Sequence, residues 1–292
     1  MRKYLGILTL ALGTATAWAQ EVSTAPVRVN LLLQTNFAAQ EKTPVAFSVK
    51  RTEITLSGQA SQSLAYLVRL DPAATLFKDG LLSWEFAPAL AVTAGRFKYP
   101  QSLEGRTPAD RLLFIERSNL GRTFGDQREY GVQGAGRWSV LEYAAAMIND
   151  RTGAGRIGIQ YGAVSLGATG LYGSTWRGRW WRMGIENRIQ ASSWTWQSEL
   201  GYGEDWFDRQ GGAYATLARR IGKFRPVARL EFWGSDPVTR SYLTVQGTIT
   251  AGIDWFVAGD DSRGSKVSLN GILGEVAVRN NTALLVQWQV VW

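Results

Sequence analysis

The chain has 292 residues and a formal net charge of +8, from 32 Lys and Arg against 24 Asp and Glu; it carries 32 Gly and 13 Trp but no His and no Cys. Without histidine the usual general base, the Ser-His and Cys-His nucleophile pairs and every His-bearing zinc site are excluded. An enzyme is therefore not expected, since any nucleophile would need a lysine base or a metal. The basic charge is spread singly along the chain rather than clustered, which argues against a nucleic-acid partner.

In chain order, Arg2-Lys3, the apolar run YLGILTLALG and the AWA at Ala17 to Ala19 give the three parts of a secretory signal over residues 1–19. Residues 20–292 then form a single domain. The apolar run is shorter than the roughly 20 residues a membrane helix needs, and no later stretch approaches that length unbroken. Two fates remain for an exported chain of this kind: a soluble protein, or a β-barrel that hides its backbone polar groups in a closed sheet.

Period-two alternation favours the barrel. VRVNLLLQTNF sets Val27, Val29, Leu31, Leu33 and Phe37 against Arg28, Asn30, Gln34 and Asn36. The same pattern recurs in WRMGIENRIQ, in FRPVARLEFW, in LTVQGTITAGIDW and in the final LLVQWQVVW. Runs near 27–37, 47–58, 62–70, 80–87, 89–98, 128–138, 139–148, 155–163, 164–172, 180–190, 193–203, 213–221, 224–233, 243–258, 266–278 and 282–292 read as strands. The expectation is an all-β transmembrane antiparallel barrel of 16 strands, with 14 as the alternative, and short turns alternating with longer external loops. Trp138, Trp194 and Trp292 lie beside short turns and Trp176, Trp180, Trp206 and Trp233 beside longer connections, where aromatic girdles belong.

Tyr99 to Gln127 is the longest stretch without alternation. As the third external loop it is expected to fold inward and narrow the lumen, with Arg106, Arg111, Glu116, Arg117 and Arg122 as constriction candidates. Its four arginines are matched by Glu104, Asp110, Glu116 and Asp126, so the loop alone does not make a strongly basic constriction. Pore-lining candidates from the alternation are Arg28, Arg51, Arg69, Arg96, Lys98, Arg137, Arg156, Arg182, Arg188, Arg225 and Arg229, among acids that include Glu53, Glu142, Glu186, Glu199, Glu231 and Asp254. Before the loop, AGRFKYPQSLEG places Arg96 and Lys98 toward the lumen and Phe97 and Tyr99 toward lipid.

WEFAPALAVTAGRFKYPQSLE, then LLFIERS, REYGVQGAG and YAAAMIND, resemble the phosphate-selective porin O/P family, and VKRTEITLSG looks like its early arginine-bearing strand with Lys50-Arg51 in place of paired arginines. The resemblance covers about residues 45 to 150. It implies an outer-membrane porin, a homotrimer, whose long third loop and basic lumen favour small anions such as phosphate, with outer-membrane lipid around it. Trp292 resembles the terminal aromatic such barrels present to the outer-membrane assembly machinery. The alternatives are a non-selective general porin and a structural barrel anchoring the envelope.

No cofactor or metal is expected. GAGRIG, with Gly153, Gly155 and Gly158, lacks the helix a dinucleotide site needs. GDDSRG and GEDWFD, with Asp260, Asp261, Glu204, Asp205 and Asp208, read as ordinary turns rather than calcium loops.

Overall fold

The computed structural model describes residues 26–40, 43–149, 151–175, 178–205, 207–237, 239, 243–258, 264–276, 279–280 and 282–292. The expected signal segment, Trp176, Trp206, Asp260 and Asp261 lie outside them. The strands are β1 (Arg28–Gln40), β2 (Thr43–Gln59), β3 (Leu64–Leu70), β4 (Phe77–Ala87), β5 (Leu90–Lys98), β6 (Arg128–Trp138), β7 (Leu141–Ile148), β8 (Thr152–Tyr161) and β9 (Val164–Thr175). They continue with β10 (Gly178–Ala191), β11 (Trp194–Asp205), β12 (Asp208–Arg219), β13 (Phe224–Pro237), β14 (Val245–Ala258), β15 (Ser265–Val276), β16 (Arg279–Asn280) and β17 (Ala283–Val291).

Each strand pairs antiparallel with its sequence neighbours. The two-residue β16 extends the end of β15, and β15 pairs directly with β17. Leu33 of β1 sits across from Thr52 of β2 on one side and Val290 of β17 on the other, so the sheet closes on itself as a 16-strand antiparallel barrel. Closure leaves no unpaired edge, which is what lets a sheet cross hydrocarbon.

The alternation maps onto two faces. In β13, Leu230 and Phe232 are exposed on the outer wall while Val227, Arg229 and Glu231 are buried on the inner one. Trp84, Trp138, Trp194, Trp255, Trp288 and Trp292, all exposed, ring the end carrying the tight hairpins, as an interfacial girdle should. Trp233 is not part of a girdle: it is only 6% exposed and packs edge-on to Phe124 of the long loop, 5.7 Å between rings. Trp180 likewise packs against an inner-face cluster.

Connections at the opposite end are shorter than expected. β1 and β2 are separated by residues 41–42, β7 and β8 by 149–151, β9 and β10 by 176–177, and β11 and β12 by 206–207. The 29 residues between β5 and β6 are the exception. Long loops and long strands compete for the same residues. Strands such as the 17-residue β2 have absorbed what the sequence suggested as loop.

Candidate pore and its inward loop

The third loop touches strands around the circumference, which only a segment inside the barrel can do. Gln34 of β1 donates to the Ala109 carbonyl (3.4 Å), Lys50 of β2 to that of Ile115 (2.8 Å), and Gln101 to Gly170 of β9 (2.7 Å). Arg106 meets Glu186 of β10 at 2.5 Å, and the Glu104 amide donates to Glu199 of β11 at 2.6 Å. The Asn119 amide donates to Glu231 of β13, the Ile115 amide to Asn270 of β15 (2.8 Å), and Gln289 of β17 to the Asp110 carbonyl (3.0 Å).

Local sequence explains the shape. The Ser102 hydroxyl caps the short helix α1 (Leu103–Arg106), accepting from the Gly105 amide. Gly105 is needed because a Cβ there would stand 2.3 Å from the Gly125 backbone, where α1 lies against the turn Gly121–Gly125. The apolar run Leu112 to Ile115 is buried, Leu113 and Phe114 packing against Ala218 and Val227 of the wall. Buried loop backbone must find partners, and the wall side chains supply them.

On the β10–β17 side the loop is welded to the wall. Glu104, 1% exposed, accepts from the Ser118 amide (2.6 Å) and hydroxyl (2.5 Å) and faces Arg229 at 3.3 Å. Arg229 also donates to the Glu116 carbonyl (3.2 Å), pairs with Glu231 (3.6 Å) and lies over the Phe114 ring. Arg225 Nε donates to Asp254 (2.9 Å), while Arg225 and Lys266 both reach the Leu112 carbonyl. Arg182 holds Asp205 through two bonds (3.1 and 2.6 Å) and donates to the Thr123 carbonyl. Arg188 donates to Gln197 at 3.1 Å. Arg182, Arg225 and Arg229 thus stand on the inner face but beneath the loop.

The β2–β6 side is different. A cavity of about 50 Å³ there is lined by seven cations and two carboxylates: Arg51, Arg69 and Lys78 from the wall, Lys98 from the end of β5, Arg106 and Arg117 from the loop, and Arg128 from the start of β6, with Glu53 and Asp126. A bulge contributes to this: Arg51 pairs with Gln34 and Val49 with Thr35, leaving Lys50 as the extra residue. Both members of the basic pair then reach inward, Arg51 to the Gln34 side chain (2.8 Å) and Lys50 to Ile115 and Glu116. A second cavity, about 410 Å³, shares Lys98 and Arg106 with the first and adds Arg137, Arg156 and Glu142.

In the loop, burial raises the Asp126 carboxyl, but Arg117 and Lys98 beside it outweigh that and hold it below the usual carboxylate range. Arg117 contacts Asp126 at 3.2 Å and donates to the Thr107 carbonyl at 2.8 Å. Glu116 pairs with Lys50, and the exposed Arg122 turns back to Asn119 (2.6 Å). Arg111 closes the turn Ala109–Arg111 with its Nε buried.

Strand β5 presents the opposite face to the one expected. Thr93 lies across from Ser83 and bonds it, and Arg96 lies across from the outward Tyr130, so odd residues point in and Arg96 points out. Arg96 donates to the carbonyls of Phe77 and Lys78 (2.6 Å to the latter) and does not line either basic cavity. Phe97 and Tyr99, 4% and 3% exposed, pack with Ala146, Ile148, Ala154 and Leu171 rather than facing lipid. Gly95 has φ 127° and a Cβ there would strike the Gly80 carbonyl, so the strand bends where the chain prepares to leave the wall. Lys98, beyond the bend, does reach the basic cavity.

Lys78 and Arg128 are cavity cations that alternation missed, because both lie at strand starts beside loops. Their closeness to the long loop in sequence (Arg128) or across one hairpin (Lys78) was the available signal. Glu204 and Asp205 are engaged by Arg209 and Arg182.

Solved outer-membrane barrels share this architecture. An in-vitro folded OmpT of Vibrio cholerae in trimer form superposes with TM-score 0.73 at 10% identity, covering 92% of this chain and 99% of that one. Salmonella typhi OmpF in complex with daunomycin gives 0.69 at 6%, covering 92% and 98%, and a mutant of the Rh. blastica porin 0.63 at 12%, covering 91% and 100%. At these identities the likeness is one of fold. No curated protein matches the chain in sequence. Residues 33–163, which hold the bulged basic pair, the inward loop and most of the cations of both basic cavities, match the model of the phosphate-selective porin O and P family, and the barrel around them has the fold of an outer-membrane porin.

Proposed function

We propose that the chain forms a water-filled channel in the outer membrane for passive diffusion of small hydrophilic solutes, with a preference for anions of phosphate-like kind. The observation that carries the anion preference is that seven cations but only two carboxylates line the cavity on the β2–β6 side, and that the cations still outnumber the acids once Asp71, Asp79 and Glu186, which pair with Lys78, with Arg69 and Arg128, and with Arg106, are included. Charge rings act through their local field, so this grouping outweighs the near-balance of the loop as a whole. Arg51, Arg69, Lys98, Arg106, Arg117 and Arg137, joined by Lys78, Arg128 and Arg156, are the residues assigned to the solute path. Arg182, Arg188, Arg225 and Arg229 are assigned to holding the wall and loop.

The trimeric state of the V. cholerae OmpT supports a homotrimer here. Residues 1–19 as an export signal and Trp292 as the handle for barrel assembly complete the reading. Planar-bilayer recording of the purified, refolded protein under a salt gradient tests it. Discrete steps, an anion-directed reversal potential and block by added inorganic phosphate are expected. Steps without anion preference would leave a general porin, and a folded barrel without conductance would leave a structural role.

A further inference from the structure

Of the two basic residues at the bulge in β2, Arg51 lines the basic cavity, whereas Lys50, the extra residue, reaches instead to the middle of the inward loop. Lys50 Nζ donates to the Ile115 carbonyl at 2.8 Å and pairs with the Glu116 carboxylate. A bulge gives up regular ladder pairing to re-aim a side chain. Here the re-aimed side chain is the one that grips the loop from β2.

The same two loop residues are held from across the lumen. The Ile115 amide donates to Asn270 of β15 at 2.8 Å, and the Glu116 carbonyl accepts from Arg229 of β13 at 3.2 Å. Ile115 and Glu116 therefore stand between opposing anchors, and the anchors are unequal. Asn270 and Arg229 are 1% and 4% exposed. The Lys50 and Glu116 side chains are 16% and 40% exposed, and Arg51 and Arg122 are like charges near Lys50. An ion pair in contact with water is weakened by screening ions and by the freedom of its two long side chains.

Position decides what the weaker anchor does. The basic cavity lies between the loop and the β2–β6 wall, with Arg51 and Glu53 supplied by β2 and Arg106, Arg117 and Asp126 by the loop. An anchor that draws the loop toward β2 narrows that space. Its release leaves the loop to the anchors on β13 and β15, away from the cavity.

We propose that Lys50 is a positioning residue whose bonds to Ile115 and Glu116 act as a strap: closed, it holds the loop toward β2 and narrows the passage, and open, it lets the loop draw back. This rests on the channel reading and adds to it an aperture that ionic strength shifts. The Debye length falls from about 10 Å at 0.1 M salt to about 3 Å at 1 M, so the strap is closed for more of the time in dilute salt.

The test is single-channel conductance and reversal potential of the full-length refolded protein in dilute and concentrated KCl, for wild type, Lys50→Met and Glu116→Gln. Both variants break the strap but change the charge in opposite senses. A strap predicts higher conductance in both and entry of larger polyethylene glycols than the wild type admits, while the reversal potential moves toward cations in Lys50→Met and toward anions in Glu116→Gln. The gain should be largest in dilute salt and shrink in concentrated salt, and Lys50→Arg should restore the narrow state. Glu116→Gln alters an exposed side chain and carries the test if Lys50→Met fails to assemble, because admission of larger polymers separates a wider aperture from a lost charge. Conductance that falls in Lys50→Met and rises in Glu116→Gln, with polymer entry unchanged, would overturn the proposal and leave both residues as sources of charge alone. Unchanged conductance in both variants would overturn it as well. The channel reading fails separately, when the folded wild-type barrel shows no conductance.

Discussion

The two sides of the inward loop use the same residue types to opposite ends. Toward β10–β17, Glu104, Arg229, Glu231, Arg225 and Asp254 are each at most 8% exposed, and the cations are spent on carboxylates, carbonyls and rings. Toward β2–β6, seven cations and two carboxylates line an open cavity, and Asp71 and Asp79 hold Lys78, Arg69 and Arg128 from behind. Loop charges that balance in sequence are divided in space: Glu104 goes to the packed side, Asp126 lines the open one, and Arg106 and Arg117 line the open one while bonding across to Glu186 and to the Glu104 carbonyl. A constriction's field therefore depends on which face each charge takes more than on the loop's sum.

The largest effect is expected from Arg229→Ala, on the packed side. It strands Glu104 and Glu231 as buried acids without their cation, a kind of loss worth about 3–5 kcal/mol. Lower resistance to denaturant and noisy, larger single-channel currents are expected, because the loop comes loose.

On the open side the effect is electrical. Lys98→Gln removes one charge facing the ion path; a unit charge about 4 Å away in a water-filled lumen is worth about 1 kcal/mol, or about fivefold in partitioning. The reversal potential should move toward cations. Arg96→Gln, two residues earlier but on the outer wall, should leave it where it was. A shift of equal size in both variants would refute the face assignment of β5.

The smallest effect is with acid. Because Asp126 is held below its ordinary value of about 3.9, its charge stabilises the loop fully above that pH and the contribution is lost as pH falls through the folded value. Loop-dependent current noise should be flat from pH 7 to about 4 and rise only below. A rise centred near pH 6 would mean another group governs the contact.

Sixteen strands were legible because period two is set by the pleat itself, and Arg225, Arg229 and Glu186 could be assigned to the inner face from alternation alone. Three places resisted, each for a local reason. At Lys50-Arg51 the bulge puts two consecutive residues on one side, which strict alternation forbids. At Phe97 and Tyr99 aromaticity suggested lipid, yet an inward loop needs an apolar seat, and Ala146, Ile148, Ala154 and Leu171 complete it. Trp233 was misplaced in the same way, since its partner Phe124 lies more than a hundred positions earlier. The basic cavity was legible only in part. Arg51, Arg69, Lys98, Arg106 and Arg117 came from pattern, but the grouping of Lys78 and Arg128 with them comes from hairpin register and the loop's path.

The loop also has a mechanical consequence. A thin-walled tube under lateral membrane pressure fails by flattening, bending its wall across the hydrogen-bond ladders between neighbouring strands. Hydrogen bonds from one segment to β1, β2, β9, β10, β11, β13, β15 and β17 make that segment an internal spoke. Compression along any diameter it spans loads those bonds as well as the wall, so the element that narrows the passage also keeps its cross-section round.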